Sequence, residues 1–360
     1  MARISLSKIK EFVSADSSGP VWVGVDVHKV TYHVAVQRND GLVKTWSTTA
    51  DPQLLIKQLR GLEVEIACVV YEAGPTGFGL ARVLKEARIR VIVAAPSRIP
   101  RPVTSGSKTD RLDCIALAKY AQRSMLKPIA IPSVEQEAKR SLGRRRDQIS
   151  REVRRTKQRI KSFLLFHTIP EPVGLRSWSK KGLESLKSME LPEALRYTLD
   201  SHLLDLEHHL IIRQTVDQQL GHLIDQKESD RKAVACMQSV PGVGFVTAAQ
   251  FRLEIFNPQR FNNSGELTSL VGLAPVVRKT GQQKGQAKLR PAGKNQLRSL
   301  LVEAAWRLRA KEAWAKEFYD RVLAKNRVPQ KAIVALARKL CIILWRICVE
   351  MRPYRTVALR

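Results

Sequence analysis

The stretch VWVGVDVHKVTYHVAVQRNDG, Val21 to Gly41, constrains the fold of this 360-residue chain more than any other. Val21, Val23, Val25 and Val27 alternate with Trp22, Gly24 and Asp26, the period-two pattern of a strand with two unlike faces. Tyr32 to Val36 reads as a second strand, and Asn39-Asp40-Gly41 is a turn leading to a third, Leu42 to Trp46. Three strands joined only by turns exclude a flavodoxin-like sheet, whose first strands are parallel and need crossover helices. Beyond them the pattern predicts a helix over Pro52–Leu62, a buried strand over Glu65–Tyr71, a helix over Phe78–Ala87 and a strand over Arg90–Ala94. The polar loop PSRIPRPVTSGSKTD then leads into a helix from Asp110 to Arg123. A three-strand meander followed by βαβα units is the order of an RNase H-like (RuvC-like) α/β domain.

Four carboxylates fall at telling places in that order. Asp26 sits in the middle of the most strand-like segment, where a charge needs a partner. Glu72 directly follows EIACVVY and precedes the turn AGPTG. Asp110 and Asp113, in KTDRLD, are three residues apart at a helix start and therefore share a face. In an RNase H-like sheet the strands of Asp26 and Glu72 are neighbours and the later helix crosses their ends, so the four can converge. Carboxylates brought together repel, and divalent metal resolves the repulsion. Mg²⁺ takes oxygen ligands, and two ions about 3.5–4 Å apart can clamp the attacking and leaving oxygens of a phosphodiester. Taken singly, Asp110 also suits an N-cap, Asp113 a helix-dipole partner and Glu72 a rim position.

Charge points to the partner. Sixty-two Lys plus Arg against 33 Asp plus Glu give a net +29 and a pI near 10.4. Nucleic acid fits such a chain better than a membrane surface, because the cations are spread through folded-looking segments and each neutralised phosphate releases counterions. From Lys139 to Lys161 eleven cations face two acids, Asp147 and Glu152, so a merely solvated helix is disfavoured by its own repulsion. The apolar stripe Leu142, Ile149, Val153, Thr156, Ile160 and Phe163 runs beneath them, and Leu203, Leu206, Leu210, Val216, Leu220 and Leu223 form a second. Two long antiparallel helices result, coiled-coil-like in spacing and separated by Pro170, Pro172 and Gly174. SVPGVGFVTAAQ, Ser239 to Gln250, has a helix–hairpin–helix pattern of the kind that grips a phosphate. Arg278 to Arg298 holds seven cations and no acid, and Val328–Val349 predicts an apolar-plus-basic helix. The N-terminal segment lacks the apolar core of an export signal and no stretch is apolar enough to span a membrane, so a cytoplasmic protein is expected. Five scattered cysteines without a CxxC pair suit reduced thiols rather than zinc ligands or disulfides.

The segments GVDVHK, YEAGPTG, KTDRLDC, SVPGVG and GLAP…TG…AGKNQLRSLLVEAAW, in that order, resemble the DEDD transposases of the insertion-sequence one-ten family, relatives of the Piv-type invertases. The resemblance spans residues 20–350. It implies an N-terminal segment (1–19), a RuvC-like DEDD domain (20–130), a coiled-coil helical linker (131–229) and a mainly helical C-terminal transposase domain (230–360). It also implies recombination of donor and target DNA guided by a structured bridge RNA, in a homo-oligomer, dimer or tetramer. The family's acidic tetrad falls on Asp26, Glu72, Asp110 and Asp113, with Mg²⁺ as cofactor. The family's serine nucleophile follows the GL-P motif. Here GLAP is followed by VVRKTG, so Thr280 stands where Ser is usual, with Ser264, Ser269 and Ser299 as the nearest serines. Thr280 has the required hydroxyl, though its methyl crowds attack. Nucleic-acid contacts are expected at Arg144, Arg145, Arg146, Arg154, Arg155, Arg278, Lys279 and Lys284. Two other functions fit the same residues: a metal-dependent RuvC-like nuclease or junction resolvase, and a catalytically silent nucleic-acid-binding relative.

Overall fold

A computed structural model describes residues 6–15, 19–100, 110–277, 287–289 and 293–355; the side chains of residues 110, 111, 276, 277, 287 and 288 lie outside that description. The chain divides into two compact units, Met1–Ser133 and Val134–Arg360.

In the first unit α1 (Leu6–Ser14) precedes β1 (Val21–Val27), β2 (Thr31–Gln37) and β3 (Val43–Thr49), followed by α2 (Pro52–Arg60), β4 (Ile66–Glu72), α3 (Gly79–Glu86), β5 (Val91–Ala94) and α4 (Asp110–Gln122). The sheet order is β3-β2-β1-β4-β5. The meander β1-β2-β3 is antiparallel, whereas β4 pairs parallel with β1 and β5 parallel with β4. Alternation gives the sheet two buried faces. Val21, Val23, Val25, Val34, Val36, Val69, Tyr71 and Val93 pack with Ile9 and Val13 of α1, Leu55 and Leu59 of α2, and Leu80 and Leu84 of α3. Full burial of each such side chain contributes about 1.5–3 kcal/mol, so this face supplies much of the unit's stability. The opposite face, with Ala35, Cys68 and Val70, carries Cys114, Leu117, Ala118 and Ala121 of α4. Asp51 starts α2 cleanly, its Oδ1 accepting from the Gln53 amide at 2.8 Å ahead of Pro52.

The second unit comprises α5 (Val134–Phe166), α6 (Lys180–Lys187), α7 (Glu193–Asp225), α8 (Glu228–Gln238), α9 (Phe245–Ile255), α10 (Ser264–Val271), the antiparallel pair β6 (Pro275–Val277) and β7 (Ala287–Leu289), α11 (Asn295–Lys311), α12 (Ala313–Asn326) and α13 (Pro329–Glu350). α5 and α7 have 33 residues each, about 50 Å of helix. Val153, Ile160, Phe163 and Leu164 of α5 pack with Leu199, Leu203 and Leu206 of α7, with Leu175 and Leu186 filling the end. A second core gathers around α13, where Ile333, Leu336, Leu340, Leu344 and Ile347 are buried with Phe251, Leu267, Leu297 and Leu301. All five cysteines lie among the described residues, buried and outside any disulfide. Among the described residues no helix is long and apolar enough to cross a membrane.

Candidate active site and nucleic-acid surface

Asp26 is the penultimate residue of β1, not a mid-strand residue as the valine run suggests. The parallel register pairs Gly24 with Val70 and Val25 with Tyr71. One step further puts Asp26 beside Glu72, the last residue of β4, so both carboxylates lie at the carboxyl ends of neighbouring parallel strands. They also share a face, because Trp22, Gly24 and Asp26 alternate in phase with Cys68, Val70 and Glu72. That face is the one α4 covers.

Gly24 makes the covering possible. A Cβ there would sit on the Cys114 carbonyl oxygen and 2.7 Å from the Ala118 nitrogen, so only glycine lets α4 lie directly on β1. The helix direction follows from its two ends. Gln122, the last residue, hydrogen-bonds Gln37, which pairs with Trp22 at the start of β1. Cys114 is over Gly24, and the first turn, with Asp110 and Asp113, is therefore directed toward the Asp26 end of the strand. Asp113 is half-buried, Glu72 is exposed, and the Asp110 side chain lies outside the described residues.

Two histidines that the sequence pattern did not single out join this edge. His28 Nε2 lies 3.0 Å from Asp26 Oδ2, with the Asp26 side chain 21% exposed. His33 pairs with Asp26 across the β1–β2 ladder, meets the His28 ring edge-on at 5.7 Å, and has its Nδ1 2.9 Å from Ser47 Oγ. The signal was present in the spacing, since a short turn between Val27 and Thr31 sets the register that brings His33 opposite Asp26. Among the described residues no three His, Cys, Asp or Glu side chains gather closely enough to hold one ion. The donors at this edge are nonetheless predominantly carboxylate oxygens, the set that suits a hard divalent cation.

The cations of α5 divide into two groups. Lys139 and Arg140 are buried and pair inward, Lys139 with Asp230 at 3.5 Å and Arg140 with Glu254 at 3.1 Å, while Lys139 also meets the exposed Glu135 one turn earlier on α5 at 2.8 Å. Arg144 is half-exposed and reaches Glu254 at 3.4 Å, while Arg146 pairs with Asp217 at 2.6 Å. Arg151 pairs with Asp147, and Arg155 with Glu152 at 2.7 Å. Arg145, Arg154 and Arg159 are exposed and have no ion pair among the described residues.

In the α8–α9 hairpin, Gly242 (φ +87°) is pressed on α11, where a Cβ would lie 2.7 Å from Arg307 Cβ and 2.9 Å from the Ala304 oxygen. Gly244, at the open start of α9, has nothing within 4 Å of its Cβ position. Thr280, Arg278, Lys279 and Lys284 lie outside the described residues. Of the alternative serines, Ser264 begins α10 behind the Asn263 cap, Ser269 lies within α10, and Ser299 donates to the Asn295 carbonyl inside α11.

Comparison with known proteins converges on one family. The DEDD transposase model of IS110 elements matches residues 23–169, which include all four acidic positions. The model described as transposase IS116/IS110/IS902 family matches residues 234–320. The protein y4qE of Sinorhizobium fredii, named as a candidate transposase, is 30% identical over 80% of this chain and 72% of its own. The transposase for insertion sequence element IS1533 of Leptospira borgpetersenii is 28% identical over 94% of this chain and 99% of its own. That for element IS1111A of Coxiella burnetii is 26% identical over 81% of this chain and 80% of its own. The chain therefore belongs to the IS110 family of DEDD transposases.

Proposed function

We propose that this transposase is an RNA-guided DNA recombinase that cuts and rejoins the strands of an insertion sequence through an acidic site and a C-terminal hydroxyl. The observation that carries the proposal is the placement of Asp26 and Glu72 at neighbouring strand ends, on the face that Gly24 opens to the Asp-bearing first turn of α4. The sheet order, with a three-strand meander joined to two parallel strands, supports an RNase H-like (RuvC-like) domain over 20–130. The packing of α5 on α7 supports a coiled-coil linker over 131–229, leaving 230–360 as the transposase domain.

Asp26, Glu72, Asp110 and Asp113 would hold Mg²⁺, which when bound stabilises charge on the attacking and leaving oxygens of a phosphodiester. His28 orients the Asp26 carboxylate through its 3.0 Å contact. Thr280 supplies the nucleophile: its Oγ bonds to phosphorus, the strand's P–O bond breaks, and the hydroxyl proton passes to the departing oxygen. No histidine lies near Thr280 in sequence, so its activation comes from the acidic site, of the same or another subunit. Strand exchange needs more than one such site, which calls for a dimer or tetramer. Arg145 and Arg154 offer phosphate contacts for DNA or for a structured guide RNA, with Arg278, Lys279 and Lys284 flanking the nucleophile. A chain of this kind works in the cytoplasm.

The test is capture of a covalent protein–DNA adduct on a duplex carrying the element's end. Thr280→Ser is expected to preserve or raise adduct yield, and Thr280→Val to remove it while leaving DNA binding intact. An adduct that persists in Thr280→Val assigns the nucleophile elsewhere, with Ser264 and Ser269 next. Complete absence of adduct in the wild type alongside metal-dependent cleavage identifies a hydrolytic nuclease instead.

A further inference from the structure

We infer that Glu254 is a positioning residue: through Lys294 its buried carboxylate fixes the foot of the β6–β7 pair against α5, and so fixes where the segment bearing Thr280 begins and ends. The inference rests on the reading of Thr280 as nucleophile.

The two feet of that segment meet at one corner. Gly272 closes α10 with φ +80°, and β6 starts three residues later. After β7 the chain returns through Gly293 (φ +107°), where a Cβ would lie 2.7 Å from Gly272 Cα. The Lys294 amide donates to the Leu270 carbonyl at 3.0 Å, and Arg298 Nη1 donates to the Gly272 carbonyl at 3.4 Å. These contacts bring the feet together and seat them on α10 and α11, but they reach neither α5 nor α9.

The Lys294 side chain makes that link. Its Nζ lies 3.1 Å from Glu254 Oε2, near the end of α9. Glu254 is 5% exposed and also pairs with Arg140 and Arg144 of α5. Between those arginines lies Gly143, whose carbonyl accepts from Gln250 Nε2 of α9 at 2.8 Å and Gln296 Nε2 of α11 at 3.3 Å. A Cβ at Gly143 would lie 2.6 Å from Gln250 Oε1, so the helices meet at closest approach here. One carboxylate therefore ties the nucleic-acid helix α5, the helix α9 and the hairpin foot into one junction. Burial pushes the Glu254 carboxyl up, but Lys294, Arg140 and Arg144 outweigh burial and hold it below the usual carboxylate range.

Three cations around one acid also make a clean test available. Removing Lys294 leaves Glu254 paired with Arg140 and Arg144, so the junction survives while the hairpin foot loses its tie to Glu254 and keeps only the longer Gln296 contact to α5. Full-length Lys294→Met, Lys294→Arg and Thr280→Val are compared by hydrogen exchange at the β6 and β7 amides, thermal midpoint, affinity for the element-end duplex, and adduct yield. Lys294→Met is expected to speed exchange at β6 and β7 at least about tenfold, the local opening that loss of a buried pair allows. Adduct yield should fall by about 10²-fold for a misplaced nucleophile, with duplex affinity within about twofold and Lys294→Arg restoring both. Unchanged β6–β7 exchange in Lys294→Met overturns the inference, as does a uniform loss of midpoint, affinity and adduct. Faster exchange with full adduct yield overturns the positioning role if Thr280→Val still loses the adduct, and refutes Thr280 as nucleophile if Thr280→Val keeps it.

Discussion

Replacing Gly24 by alanine adds one methyl group where α4 lies on β1. Its position overlaps the Cys114 carbonyl oxygen and lies 2.7 Å from the Ala118 nitrogen, whereas ordinary contact begins at 3.4 Å. Against the Ala118 nitrogen alone α4 must retreat by about 0.7 Å, and the Cys114 oxygen demands more. Neither neighbour is a flexible side-chain tip that can swing aside; both are helix backbone. Ala35, Cys114 and Ala118 are wholly buried, so the strain cannot be relieved toward solvent. Overpacking of this kind costs about 1–3 kcal/mol, a drop of several degrees in thermal midpoint. The functional cost is larger, because Asp113 and Asp110 move with the helix while Asp26 and Glu72 stay on the strands. A displacement near 1 Å at a reacting centre costs about 10²-fold in rate. Single-turnover cleavage of element-end DNA measures the rate, and circular dichroism melting measures the stability. Gly79→Ala, with nothing within 4 Å of its Cβ position, is the control in the same unit. Gly24→Ala with wild-type rate and midpoint would refute the seating of α4 on β1 and the acidic site built from it.

Arg145→Ala and Arg154→Ala together should weaken nucleic-acid binding irrespective of sequence and lower the log–log salt slope by about 0.9 per contact for duplex DNA or 0.7 for a single strand. Arg146→Ala should cost stability instead, because it strands Asp217, and melting with and without bound duplex separates the two effects. Glu254→Gln should destabilise the second unit by about 3 kcal/mol at neutral pH, since it removes the acid from a buried cluster of three cations. The folded carboxyl titrates below its unfolded value, so this stabilisation is present above the unfolded carboxylate pKa and is lost as pH falls through the lowered folded one. Urea titrations across the acid range should therefore show wild type and Glu254→Gln converging only at the acid end, and a constant gap would refute the sign.

The sheet was legible because valine alternation reports a strand's two faces directly, and Asn39-Asp40-Gly41 marks a turn that leaves no room for a crossover helix. The same alternation puts Asp26 and Glu72 on one face. It also marks the strand's length, since the valine run and β1 both end at Val27; Asp26 is therefore one residue from the strand's end and not in its middle. α1 escaped notice because nine residues with only Ile9 and Val13 buried give too few turns for a period to show. β6 and β7, three residues each, are too short to alternate. The α5 stripe read correctly at Ile149, Val153, Thr156, Ile160 and Phe163, all buried. Its charges did not, since the partners that draw Lys139 and Arg140 inward, Asp230 and Glu254, are remote in sequence. A local count of cations cannot tell a phosphate ligand from a buried pair whose acid arrives from another helix.

The most direct measurement of the central claim is strand cleavage of element-end DNA in Mg²⁺ by wild type, Asp26→Asn and Glu72→Gln. Replacing one carboxylate of a like-charged cluster leaves folding nearly intact, so melting of the variants should match the wild type closely. The account predicts that both variants lose cleavage while retaining DNA binding. Cleavage at the wild-type rate by Asp26→Asn would contradict it.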